Sequence, residues 1–132
     1  MANIVNFSDA AAIGVHSMIL LSKSKTPLNA IQLSKTLGNS KHHIGKVLQR
    51  LVKDGFLVSY RGPTGGFVLD CDPKKVTLLE IYESIEGKVV VKLCSSDNHI
   101  CPAEKCIKKN VVSKLTYDFS NYMSSQKLSD YL

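Results

Sequence analysis

Three cysteines, Cys94, Cys101 and Cys106, fall in one short stretch with the spacing C-x6-C-x4-C. Thiolates are soft ligands that select zinc or iron–sulfur clusters. The spacing is looser than the C-x2-4-C pairs of structural zinc sites and the tight runs of ferredoxin-type clusters. Spacing alone therefore names no metal. Cys71 stands apart, in Leu69-Asp-Cys-Asp-Pro73, and is expected to be a non-ligand in a turn. His42 and His43 are adjacent. Neighbours on a helix point about 100° apart, which speaks against a shared metal there. Nothing in the chain pairs a nucleophile with a base, forms a phosphate loop or couples two catalytic carboxylates, so an enzyme is not expected.

The charge is concentrated. The formal net charge is +6. Between Ser22 and Gly62 stand Lys23, Lys25, Lys35, Lys41, Lys46, Arg50, Lys53 and Arg61, against Asp54 alone. Such a block is the footprint of a polyanion binder, although a solvated charged face reads the same by charge alone. The first basic residue is Lys23, so no positive segment precedes the apolar run Ile13–Leu21, which is also too short to span a bilayer. The chain is expected to be cytoplasmic, where thiols stay reduced and metal, redox chemistry or packing come before disulfides.

The elements that must position these groups can be read from period and caps. Ser8 caps a first helix to about Ser22, with Ile13, Ile19, Leu20 and Leu21 apolar. After Pro27 a second helix spans roughly Asn29–Leu37, with Ile31, Leu33 and Leu37 facing inward, and Gly38-Asn39 stops it. Ser40 caps a third helix to Asp54, with Ile44, Val47, Leu48 and Leu51 at helical spacing. Two short helices across a glycine-containing turn are a helix-turn-helix. The period then changes to strands at Phe56–Tyr60 and Phe67–Asp70, joined by Arg61-Gly-Pro-Thr-Gly-Gly66, so a wing follows. Thr77-Leu-Leu-Glu80 is a capping box for a helix ending at Gly87. Residues 88–100 read as a loop. Pro102 opens a long helix to about Met123, striped by Ile107, Val111, Leu115, Phe119 and Met123. That stripe needs a cover, either the first helix of the same chain or, preferred here, a second copy.

The expected fold class is mainly α with a small β-hairpin wing. Residues 1–87 form the winged helix-turn-helix, 88–101 a cysteine loop, and 102–132 a dimerisation helix and tail. In such a fold the second helix of the pair enters the major groove by its N-terminal end. The candidate DNA-contacting residues are Ser40, Lys41, His42, His43, Lys46 and Arg50 on that helix, with Arg61, Thr64 and Gly65 on the wing. Ser40 and Lys41 suit phosphates, and neutral His42 and His43 can donate or accept at bases. A wing arginine is drawn to the negative potential of a narrow minor groove.

The chain resembles the Rrf-type family of bacterial winged-helix repressors, which includes IscR-type and NsrR-type branches. The matching pieces are Phe7-Ser-Asp-Ala-Ala, the run His42–Leu51, the wing Arg61–Phe67, the segment Thr77–Gly87, the three cysteines and the closing Lys127-Leu-Ser-Asp-Tyr-Leu132. The resemblance implies a homodimer crossed through the long helices. It also implies a [2Fe–2S] or [4Fe–4S] cluster on each subunit held by Cys94, Cys101 and Cys106. In the nitric-oxide-sensing branch the fourth ligand is an aspartate of the partner subunit, and Asp9 matches that position. In the IscR branch it is a histidine, where this chain has Lys109, which leaves His99 as the reserve. A carboxylate holds iron less firmly than a thiolate and leaves one cluster corner reactive. The expected function is a transcriptional regulator, a repressor by preference, whose hold on double-stranded DNA depends on the cluster. The alternatives are a repressor with zinc or free thiols and, more distantly, an electron-transfer protein docking an acidic partner.

Overall fold

The structure is a computed structural model that describes residues 7–91, 102–105, 107 and 111–132. In chain order it holds α1 (Asp9–Lys23), α2 (Ala30–Leu37), α3 (Lys41–Lys53), β1 (Leu57–Tyr60), β2 (Gly66–Leu69), α4 (Leu78–Glu86), α5 (Val111–Ser125) and a closing 3-10 turn, Leu128–Tyr131. Each of the first four helices starts at a side chain that accepts an orphan backbone N–H: Ser8 from Ala11, Asn29 from Gln32, Ser40 from His43 and Thr77 from Glu80. Asn29 and Thr77 complete reciprocal capping boxes with Gln32 and Glu80.

The central element is α1, which buries Ala11, Ile13, Val15, Met18 and Leu21. It packs against α3 and α4 and also touches β2 and α2. Gly14 lets α4 come close, since a Cβ there would stand 2.1 Å from Ile85 Cδ1. The core is completed by Leu33, Ile44, Val47, Leu48, Leu51, Leu57, Phe67, Val76, Leu78 and Ile81. α3 gives it Ile44, Val47, Leu48 and Leu51, the set its period predicts.

The wing is an antiparallel hairpin with Leu57 opposite Leu69 and Tyr60 opposite Gly66. Leu28 adds a one-residue third strand, its N–H donating to the Phe67 carbonyl (3.3 Å) and its carbonyl accepting from Phe67 N–H (2.8 Å). That contact sets the residue at the strand's start. Gly66 has φ +148°, and a Cβ there would lie 2.6 Å from the Leu28 carbonyl.

Two expectations need correction. Ile31 is half-exposed rather than inward. It and Leu33 lie two residues apart, about 200° around the helix, so one core face cannot take both. The last helix begins at Val111, while the described residues of 102–107 are exposed and outside it. A turn that buries nothing has only weak intrinsic propensity to set against the cost of nucleation. Within the chain, α5 is covered in part by α4: Phe119 meets the Tyr82 ring edge-on at 5.1 Å, and Met123 is buried in the core.

The end of the chain returns to the body. Leu78 N–H donates to the Gln126 carbonyl and Leu128 N–H to Val76, both at 2.9 Å, and Leu128 is fully buried. The winged helix and the tail therefore share one core. No helix among the described residues is long and apolar enough to cross a membrane.

Candidate functional site

With Ile44, Val47, Leu48 and Leu51 turned inward, the opposite stripe of α3 consists of His42, Gly45, Lys46 and Gln49. His42, Lys46 and Gln49 are exposed, as are Ser40 and Lys41 at the helix start, and His43 is half-buried. The Ser40 hydroxyl oxygen accepts from His43 N–H at 3.1 Å, so the residue first considered for phosphate also caps the helix. Apart from its chain neighbours and its own helix backbone, no atom of the described residues comes within 4 Å of where a Gly45 Cβ would stand, so this stretch of the stripe is open. Sequence reasoning passed over Gln49. Its signal was the i, i+4, i+7 spacing of His42, Lys46 and Gln49, and glutamine is a side chain that can pair with adenine through two bonds.

α3 leads directly through Gly55 and Phe56 into the wing. Arg61 and Thr64 are exposed on its tip, and Gly65 N–H closes the turn on the Gly62 carbonyl at 3.0 Å. Gly65 is needed for the turn itself, since a Cβ would lie 2.4 Å from the Tyr60 carbonyl oxygen. Arg50 is placed differently from the other basic residues. Its Nε donates to the Ser84 carbonyl at 2.8 Å and sits 3.9 Å from Asp54 Oδ2, so part of its guanidinium is committed inside the molecule.

Asp9 is exposed in the first turn of α1. Its surroundings are fixed by its neighbours: Phe7 lies against Tyr82 with ring centroids 5.7 Å apart, and the Ser8 hydroxyl donates to Glu86. Cys94, Cys101, Cys106, His99 and Lys109 lie outside the described residues. The chain that leads to them is held at its start, where Glu83 accepts from Val89 N–H at 2.8 Å and pairs with Lys88 at 4.0 Å. Among the described residues no cluster of three metal-binding side chains forms. Cys71 is half-buried, and its thiol is pushed up to about 11, first by burial and then by Asp70, Asp72 and Glu80. Such a thiol is a poor source of thiolate at neutral pH.

The helices and the two-stranded wing agree with the fold of known proteins. A family model described as Rrf2, iron-dependent transcriptional regulator, matches residues 7–132. The HTH-type transcriptional regulator IscR of Photorhabdus laumondii is 22% identical over 112 residues, covering 85% of this chain and 68% of that protein. Among solved structures, CymR, the global cysteine regulator of B. subtilis, superposes with a TM-score of 0.76 at 23% identity, covering 96% of this chain and 95% of its own. The IscR of T. potens gives 0.75 at 21%, covering 96% and 85%. At these identities the structural likenesses establish the winged-helix fold.

Proposed function

The chain belongs to the Rrf2 family of transcriptional regulators, and from that premise we propose that it acts as a cytoplasmic homodimer that grips an operator duplex, with an iron–sulfur cluster setting the strength of the grip. The observation that carries the DNA half is the outward stripe of α3. His42, Lys46 and Gln49 face away from a core that holds the helix by its other side. Lys41 and Ser40 would meet phosphates, His42, His43 and Gln49 base edges, and Arg61, Thr64 and Gly65 the adjacent groove or backbone. Phosphate contacts from this basic block make binding steeply salt-dependent.

The dimer would form on α5. Its C-terminal half is used within the chain, but Val111, Val112, Leu115, Tyr117 and Tyr122 remain exposed. A run of apolar and aromatic side chains on one helix is the kind of surface a second copy covers. The dimer would present two α3 helices to successive turns of the duplex.

Cys94, Cys101 and Cys106 would hold the cluster, with Asp9 of the partner subunit as fourth ligand and His99 in reserve. The donor chemistry fits: three soft thiolates for iron, and an exposed carboxylate at a helix start that is open to another chain. When bound, a cluster with one oxygen ligand supplies a corner reactive toward nitric oxide, oxygen or loss of iron. Ser8, next to Asp9, and Val89, ahead of the cysteine-bearing segment, each bond a side chain in the last turn of α4, which also touches α3. A change at the ligands thus has a physical route to the DNA-reading helix, and it can shift the dimer between forms only as far as it stabilises them differently.

Anaerobic purification with iron and sulfide assays and a visible absorption spectrum tests the cluster. Coloured, iron-bearing protein is expected. A colourless, iron-poor product would leave a winged-helix regulator with zinc or free thiols. Asp9→Ala should alter the spectrum with helical content intact, and an unchanged spectrum would move the fourth ligand to His99 or to an exogenous ligand.

A further inference from the structure

We propose that Ser84, in the last turn of α4, is a positioning residue for the DNA-reading helix: it holds the end of α3 remote from the DNA and so sets the angle at which the His42–Gln49 stripe enters the groove. The proposal rests on the DNA-reading role of α3 argued above.

Ser84 is buried and makes two directed bonds to one helix end. Its carbonyl accepts from Arg50 Nε at 2.8 Å, and its hydroxyl donates to Asp54 Oδ2 at 2.5 Å. Arg50 and Asp54 lie 3.9 Å apart, which closes a small ring of three residues. Both bonds involve a charged group and are therefore stronger and more directional than neutral ones.

The choice of residues makes sense on these terms. Ser84 lies in the last turn of α4, where carbonyls lack intrahelical donors, and Arg50 supplies one with favourable charge at that end. Asp54 is the C-terminal cap residue of α3, where a negative charge opposes the helix dipole. Its acceptor role toward Ser84 gives that unfavourable placement a purpose.

Leverage follows from length. α3 has 13 residues, so at 1.5 Å per residue a tilt of about 5° at Asp54 moves the far end by roughly 2 Å. Hydrogen bonds to base edges do not survive such a shift. Glu83, one residue before Ser84, holds Val89 N–H at the start of the cysteine-bearing segment. The same turn therefore fixes both the reading helix and the chain leading to the cysteines.

The test uses the full chain and two duplexes. One is the sequence most enriched by the wild-type protein from a random pool, and the other is a scrambled duplex of equal composition. Ser84→Ala should weaken the selected duplex about tenfold, within the range of a single good base contact, and change the scrambled duplex by less than about twofold, because phosphate attraction survives a tilt. Asp54→Ala, at a partly exposed position, should show the same selective loss, and the double variant should be no worse than either single one. Equal loss on both duplexes, unchanged affinity for the selected one, or additive single effects would overturn the assignment. A wild-type chain that enriches no duplex would overturn the DNA-reading role itself and this proposal with it. Enrichment with an unaffected Ser84→Ala overturns only the proposal.

Discussion

Cys71 shows how one side chain's surroundings decide its chemistry. Half-burial and the carboxylates of Asp70, Asp72 and Glu80 push its thiol from 9.0 to about 11. Native protein at neutral pH should therefore react slowly with iodoacetamide at Cys71, and denatured protein quickly, as peptide mass spectrometry would show. The sign for stability follows from the raised value. Between about pH 9 and 11 the unfolded chain has lost the thiol proton while the folded chain keeps it, so stability falls as pH rises through that window. Cys71→Ala should flatten this part of the pH profile, and an unaltered profile would refute it. Arg61 is the other residue whose surroundings speak plainly, exposed on the wing beside Gly62. Arg61→Ala should weaken operator binding by about 1–3 kcal/mol in a fluorescence titration. Both settings were legible in sequence, because a turn flanked by acids and an arginine in a glycine-rich hairpin are local facts. Arg50 was not. Its bond to Ser84 joins residues far apart in the chain.

At the scale of the element, the helices with marked caps could be located to within about two residues, since Ser8, Asn29, Ser40 and Thr77 each satisfy a backbone donor at their own helix start. α5 starts well after the expected Pro102, because a period-four apolar stripe describes a face without saying where burial begins. The wing carries a constraint that glycine content alone would not reveal. Gly66 has positive φ and backbone atoms of Leu28 and Asn29 where its Cβ would be. Gly66→Ala should cost about 2 kcal/mol or more in chemical denaturation, through strain and collision together. An unchanged midpoint would mean the Leu28 bridge is dispensable. Ile31 shows the limit of counting apolar residues. Its type belongs in a core, yet its angular position places it outside.

For the whole molecule, the exposed side chains of α5 let the proposed assembly be tested apart from folding. Leu115→Glu should leave the helical signal and melting temperature near wild type while converting the proposed dimer to a monomer in sedimentation, and operator affinity should drop with it. Leu128→Ala, at a fully buried site, should instead destabilise the fold by about 2–5 kcal/mol. A Leu115→Glu protein that remains dimeric would place the interface elsewhere. By itself the sequence determined the winged-helix plan and the basic, outward side of its third helix, since caps, periods and turn residues act over a few neighbouring residues. The tertiary structure alone decided that the tail pairs back onto residues 73–78, that α5 is half spent on α4, and that Ser84 grips the end of α3. Those outcomes depend on which surfaces meet after collapse. Packing between residues dozens of positions apart is written in no local pattern.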